Sequence, residues 1–246
     1  IICGKVIQDD KMNEVVKYHS QMNEVAFSKF TEQELNLFFM LCQQLKEKGS
    51  REIQLSFEQI RELVKYKFTG NDRLVKDLDR TYSKMLGLNI KLENEKEIIR
   101  FNIFTDYRIS KEKKEITIRT HEYFEFILNS LDTFFTRFEL NEFINIRSTY
   151  SKNMYRLLKQ FRTTGYYKIT VEEFRRLLDI PKNYRMSEID KKVLMHIKKE
   201  LPNYFKKLEI KKIKKQGKRE IQFFEFTFEK EKIKSKKNIV EEITLF

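Results

Sequence analysis

The chain has 246 residues, 40% of them hydrophobic and 35% charged, with a formal net charge of +13. No apolar run approaches the ~20 residues of a membrane-spanning helix, the amino terminus lacks the apolar stretch of a signal peptide, and Cys3 and Cys42 are too few for a disulfide framework. What is left is a charge-rich globular protein, long enough for two domains, that opens at Ile1 rather than Met and so reads as a possible fragment.

The charge is unevenly placed. Residues 1–146 carry 23 Lys+Arg against 24 Asp+Glu, whereas residues 147–246 carry 27 against 13. Such asymmetry points to a polyanion-binding second half. No basic amphipathic helix presents the broad apolar face that a membrane surface would need.

Residues 1–26 show weak periodicity and read as an arm. Thr31-Glu32-Gln33-Glu34 forms a capping box, after which Leu35, Phe38, Phe39, Cys42 and Leu45 share one helical face up to Gly49. Cys42 on that face reads as a packed thiol in a reducing compartment such as the cytoplasm. Arg51–Leu55 is a short strand, and Ser56 with Gln59 caps a second helix. A third helix follows the Thr69-Gly70-Asn71 break, with Leu74, Leu78, Tyr82 and Met85 inward and Gly87 at its end. Leu88, Ile90 and Leu92 alternate, Glu93-Asn94-Glu95 turns, and Ile99, Phe101 and Ile103 alternate back as a hairpin. Residues 105–146 add a strand (Glu115–Arg119), a helix (His121–Leu131) and a β-prone piece (Phe134–Phe138). They read as packing material and a stiff connection.

The first pattern then recurs. Ser151 caps a helix carrying Met154, Leu157, Leu158 and Phe161, closed by Gly165, and Tyr166–Ile169 is a strand. Thr170 with Glu173 boxes a helix bearing Phe174, Leu177 and Leu178 that Pro181 stops. Ser187 caps a third helix with Ile189, Val193, Ile197 and Leu201 inward, ended or kinked by Pro202. From Lys206 to Arg219, eight of fourteen residues are basic, and the run turns at Gln216-Gly217 into the β-prone stretch Ile221–Phe228. Helix, strand, helix, helix, hairpin therefore appears twice. The fold class expected is α+β: two tandem winged-helix units, each a helix-turn-helix with a β-wing, related by an internal repeat. The expected boundaries are an arm at 1–26, units at 27–146 and 147–228, and a tail at 229–246.

In such a unit the third helix enters the major groove and the wing touches backbone or minor groove. A step of 100° per residue puts Lys191, Lys192, Met195, Lys198 and Lys199 opposite the apolar stripe of the second unit's third helix. Arg185 and Ser187 stand near its start, and base reading is expected from these two or Lys191. Lys152 and Arg156 on the first helix are expected phosphate contacts, as are Lys214, Lys215, Lys218 and Arg219 on the wing. The first unit offers Arg73, Lys76, Arg80 and Lys84, but Asp72, Asp77 and Asp79 share their surface and the turn Glu93-Asn94-Glu95 would repel phosphate. That unit is expected to bind more weakly or to supply a protein–protein surface.

Catalytic patterns are missing. There is no G-x-x-x-x-G-K-[ST] loop, and His19, His121 and His196 form no metal-binding pair. Two distant cysteines give no zinc spacing. The expectation is a binding protein without metal, cofactor or enzymatic activity.

Three stretches carry a resemblance: Val25-Ala26-Phe27-Ser28-Lys29-Phe30-Thr31, the segment Ser148-Thr149-Tyr150-Ser151-Lys152-Asn153-Met154-Tyr155-Arg156-Leu157-Leu158-Lys159-Gln160-Phe161, and Ile189-Asp190-Lys191-Lys192-Val193-Leu194. Over about residues 15–228 the sequence resembles the initiator proteins of theta-replicating, iteron-bearing plasmids. The resemblance implies a bacterial cytoplasmic protein whose carboxy-terminal unit reads the major groove of a direct repeat in origin double-stranded DNA. Its amino-terminal unit would contact the other end of that repeat in monomers and supply the interface of repressing dimers. Recruitment of the host initiator and replicative helicase is implied as well. A winged-helix transcriptional repressor and a basic RNA-binding protein are the alternative readings; Phe223, Phe224, Phe226 and Phe228 read as core strand rather than as a stacking platform.

Overall fold

In the computed structural model, residues 15–48, 51–66, 69–93, 96–129 and 135–231 are described. β1 (Val15–His19) already departs from the expected arm: Val16 and Tyr18 are buried, and a 3-10 turn at Ser20–Glu24 buries Met22. α1 (Glu32–Lys48) starts at its capping box, in which the Thr31 N–H donates to Glu34 Oε2 at 2.8 Å and the Glu34 N–H to Thr31 Oγ1 at 3.3 Å. Leu35, Phe38, Phe39, Cys42 and Leu45 are all buried, whereas Gly49 lies outside the described residues. β2 (Glu52–Ser56) leads through the reciprocal Ser56–Gln59 box into α2 (Phe57–Leu63). α3 (Asn71–Leu86) turns Leu74, Leu78, Tyr82 and Met85 inward and stops at Gly87.

Four strands follow: β3 (Asn89–Glu93), β4 (Ile98–Asn102), β5 (Phe104–Ser110) and β6 (Glu115–Thr120). Their pairing corrects the assignment of the first wing. β3 and β4 pair only with each other, while β6 joins β2 (Ile53 opposite Ile118) and carries β5 on its outer edge. The wing of the first unit is therefore β5–β6, and the hairpin closest in sequence to α3 is an addition to it. Asn94 and Glu95 of the expected acidic turn lie outside the described residues. The true wing turns through Lys111-Glu112-Lys113-Lys114, a basic segment and not mere packing material.

α4 (Glu122–Asn129), β7 (Phe135–Glu139) and α5 (Leu140–Asn145) complete this half. β7 pairs antiparallel with β1, from Val15 opposite Glu139 to His19 opposite Phe135. Asn23 Nδ2 donates to Thr136 Oγ1 at 2.8 Å and to Gln160 Oε1 at 2.9 Å, so residues 15–25 are tied to both halves.

The second unit contains α6 (Thr149–Gln160), β8 (Tyr166–Thr170), α7 (Val171–Leu177), α8 (Met186–Ile189), α9 (Met195–Glu200), β9 (Glu209–Lys214) and β10 (Ile221–Thr227). A π turn at Asp190–Leu194 makes α8 and α9 one continuous helix, and a 3-10 turn containing Pro202 ends it. The strand order β8-β10-β9 matches β2-β6-β5 of the first unit, which confirms the repeat. Three caps differ from expectation. Ser148, not Ser151, caps α6, and Ser151 is buried within it. Thr170 accepts from the Glu173 N–H at 3.1 Å, but the Glu173 carboxylate turns to Arg176 instead of closing the box. Arg185, not Ser187, occupies the cap of α8, where its N–H donates to Glu188 Oε2 at 2.9 Å.

Gly165 sits at φ +67, and a Cβ there would lie 2.4 Å from the Phe228 carbonyl oxygen. That carbonyl belongs to the chain leaving β10, whose Phe228 N–H donates to the Gly165 oxygen at 3.0 Å. Beyond it Glu231 pairs with Lys159 at 2.9 Å and Arg162 at 3.4 Å, so the first residues of the expected tail are bound to the second unit. Buried side chains of both halves form one continuous core.

Candidate nucleic-acid interface

The α8–α9 helix is sharply two-sided. Ile189, Val193, Leu194, Ile197 and Leu201 are buried, while Arg185, Ser187, Lys191, Lys192, Met195, Lys198 and Lys199 are exposed. All five residues that the helical spacing placed opposite the buried stripe are thus exposed, as are Arg185 and Ser187 at the helix start. Lys192 is steadied by Glu188 at 3.0 Å, one turn back, and its ammonium lies 4.4 Å from the centre of the Tyr184 ring. The Arg185 N–H and the Lys192 ammonium hold the Glu188 carboxyl below the usual carboxylate range. Lys191, Lys198 and Lys199 form no ion pair among the described residues.

The wing is fixed to this helix. Lys212 on β9 pairs with Asp190 at the start of the π turn, a contact invisible in the sequence, where the two stand 22 residues apart. Lys214, Lys215, Lys218 and Arg219 are exposed around the turn, which Gly217 makes possible at φ +71. β9 and β10 rest on the core through Phe224 and Phe226, which pack against Phe174. Phe223 faces the other way, 4.4 Å under the Lys168 ammonium.

Two expected contacts are corrected. Lys152 and Arg156 are fully buried, because α6 is enclosed on all sides from Ser151 to Lys159. The Lys152 ammonium donates to Asn36 Oδ1 at 2.8 Å and to the carbonyl of Phe143. Burial pushes it down to about 7, against the pull of Glu32 and Glu200. Arg156 donates to the carbonyls of Met22, Asn23 and Val25 and to Asn153 Oδ1; burial likewise pushes it down, to about 10. Neither group can reach phosphate. Both instead hydrogen-bond the carbonyls by which the amino-terminal half meets α6.

The first unit's candidates divide in the same way. Lys84 is drawn inward by the buried carboxylate of Glu34 at 2.7 Å and the Lys29 carbonyl at 2.8 Å. Arg80 pairs with Glu34 at 3.3 Å and Asp77 at 3.0 Å. Arg73 and Lys76 remain exposed on α3 beside Asp72 and Asp79. The cations that sequence reasoning missed are on the true wing: Arg108, Lys111, Lys113 and Lys114 are all exposed. A basic turn between two alternating strands was the available signal.

Among the described residues no cluster of His, Cys, Asp or Glu could hold a metal ion, and no helix is long and apolar enough to cross a membrane.

Comparison with known proteins agrees with this architecture. The family described as initiator replication protein, WH1, matches residues 15–159, and the one described as initiator Rep protein, WH2, matches residues 170–228. A protein of Bifidobacterium longum (strain NCC 2705), described as a probable replication protein rep, is 34% identical over 222 residues, covering 89% of this chain and 74% of the relative. Among solved structures, the Pi initiator protein in complex with iteron DNA is similar with a TM-score of 0.67 at 16% identity, over 88% of this chain and 97% of that one. Domains 2 and 3 of RctB are similar with a TM-score of 0.50 at 14% identity, over 81% and 82%. At such identities the structural likeness speaks for the fold. The family matches and the Bifidobacterium relative establish the rest: this chain belongs to the replication initiator (Rep) family and carries its paired WH1 and WH2 winged helices.

Proposed function

We propose that the chain is a plasmid replication initiator that binds direct repeats of origin double-stranded DNA through its second winged helix. The observation that carries the proposal is the cationic face of α8–α9, tied by Asp190–Lys212 to a wing bearing five further exposed cations, Lys211, Lys214, Lys215, Lys218 and Arg219. An exposed helix of this kind fits the major groove, and lysines along its rims neutralise the phosphates on either side. The fold's likeness to an initiator crystallised in complex with iteron DNA supports iteron DNA as the ligand.

In this reading the first unit adds a second contact through the β5–β6 wing and the exposed face of α3, and it supplies the interface of dimers. Such a protein opens the origin by binding energy and by crowding of protomers, not by catalysis, and hands the opened DNA to the host initiator and replicative helicase.

The test is a footprint of the protein on DNA flanking its own gene at moderate salt. Protection of evenly spaced direct repeats in phase with the helical turn is the expected result. Protection of a single inverted repeat at a promoter would instead identify a repressor, and tight RNA binding without a DNA footprint would overturn the proposal.

A further inference from the structure

Met195 stands among the cations of the exposed α8–α9 face. The residues three and four positions away in either direction are Lys191, Lys192, Lys198 and Lys199, all exposed; Lys198 and Lys199 are its neighbours by α-helical spacing, while the π turn widens the step back to Lys191 and Lys192. The side chain is 52% exposed. Of the five large hydrophobic residues exposed among the described residues, Met195 alone lies on the α8–α9 helix. The Met195 N–H closes the π turn on the Asp190 carbonyl, and Asp190 is in turn held by Lys212 of the wing. π turns of this kind recur at functional sites, and this one ties the backbone at Met195 to the residue that the wing holds.

The chemistry of the position narrows what it can touch. A helix seated in the major groove, about 12 Å wide and 8.5 Å deep, brings its flanking residues to the phosphate walls and its central residue to the base edges. Lysines at the flanks can pair with phosphate; a thioether cannot. Methionine has no donor and only a weak acceptor sulfur, but it is flexible, polarisable and apolar. The base-edge group in the major groove that it matches is the C5 methyl of thymine.

We propose that Met195 is a specificity-determining residue that packs on a thymine methyl of the repeat. This inference rests on the reading of α8–α9 as the DNA-reading helix. Seating the thioether on that methyl removes both apolar groups from water.

The test uses the full chain and a duplex carrying the protected repeat, with each thymine in turn replaced by deoxyuridine, which lacks only the C5 methyl. The wild-type chain is expected to lose about fourfold in affinity at one or two adjacent positions, the worth of one buried methyl group. Met195→Ala is expected to bind thymine and deoxyuridine equally at those positions, and Met195→Leu to keep the preference. Because the side chain is exposed, both variants should fold as the wild type does, which melting curves would verify. Indifference of the wild type to every replacement, or an unchanged preference in Met195→Ala, would overturn the assignment of Met195 while leaving repeat binding intact. A chain that protects no repeat overturns the reading of the helix itself, and the role of Met195 with it.

Discussion

Arg156 Nη2 donates to the carbonyl oxygen of Val25 at 2.7 Å, joining residues 131 positions apart. The same guanidinium reaches the carbonyls of Met22 and Asn23. The two winged helices of this chain therefore do not hang from a flexible linker. They share α6, which is enclosed from Ser151 to Lys159, and an arginine inside it supplies buried carbonyls with a donor; the Met22 oxygen accepts from the Val25 N–H as well.

Replacing Arg156 by Met should lower stability by about 3 kcal/mol or more, since each abandoned buried acceptor costs roughly 1–3 kcal/mol. Arg156→Lys should recover only part of this, because an ammonium cannot span the same fork of carbonyls. Urea unfolding would measure both. The salt dependence of DNA binding by the folded fraction should not change; a shallower slope would return Arg156 to the interface.

Lys152 makes stability depend on pH. Its folded pKa, about 7, lies below the ordinary lysine value of 10.5, so between those limits the unfolded chain binds more protons and stability rises with pH. The benefit is full only above the unfolded value and is lost as pH falls to about 7. Relative to Lys152→Met, which has no such group, the wild type should gain on the order of 2–3 kcal/mol between pH 7 and 9.5. The window stops there because burial raises the buried Tyr18 and Tyr82 hydroxyls, whose ionisation above pH 10 works against the fold. A pH-independent difference between the two chains would refute the shift.

The helix and its wing should separate by their salt response. Neutralising Lys191 and Lys192 should weaken binding to the repeat more than to random DNA. Neutralising Lys214, Lys215 and Lys218 should weaken both alike and reduce the salt slope by about 0.9 per lost phosphate contact. Titrations of repeat and random duplexes at several salt concentrations would decide it. Unchanged affinity in both variants would remove the second unit as the reader.

On the first unit, the basic turn of the β5–β6 wing is expected to contact DNA. Changing Lys111, Lys113 and Lys114 to Gln should lower the slope of log affinity against log salt by roughly 2 to 3 units if all three meet phosphate. Changing the paired cations Arg80 and Lys84 should act instead on stability, through the buried Glu34 carboxylate that they neutralise. The same titrations, with melting curves alongside, would separate the two effects.

Gly165→Ala should destabilise by at least about 1–3 kcal/mol, because a side chain at φ +67 is strained and its Cβ would collide with the Phe228 carbonyl. Thermal melting would show it as a lower Tm. An unaltered Tm would mean that the chain leaving β10 moves aside freely.

Much of the architecture could be read in the sequence because it is encoded locally. The capping boxes at Thr31 and Ser56 involve residues three apart, and the inward faces of α3 and α8–α9 follow from helical spacing alone. The paired order of elements revealed the repeat, and the charge asymmetry pointed to the second half. The surface of α8–α9 was legible for the same reason, since one helix with a single buried stripe exposes whatever lies opposite.

What the tertiary structure alone decided concerns elements with partners on more than one side. α6 looks amphipathic by itself, yet the first unit covers its polar face, so Lys152 and Arg156 become buried donors rather than phosphate contacts. Two hairpins follow α3, both with alternating apolar residues, and only the pairing of β6 with β2 shows which is the wing. The weak pattern of residues 15–25 hid a strand whose partner, β7, lies more than a hundred residues away. Periodicity reports which side of an element is apolar. It carries no record of what later packs against the other side.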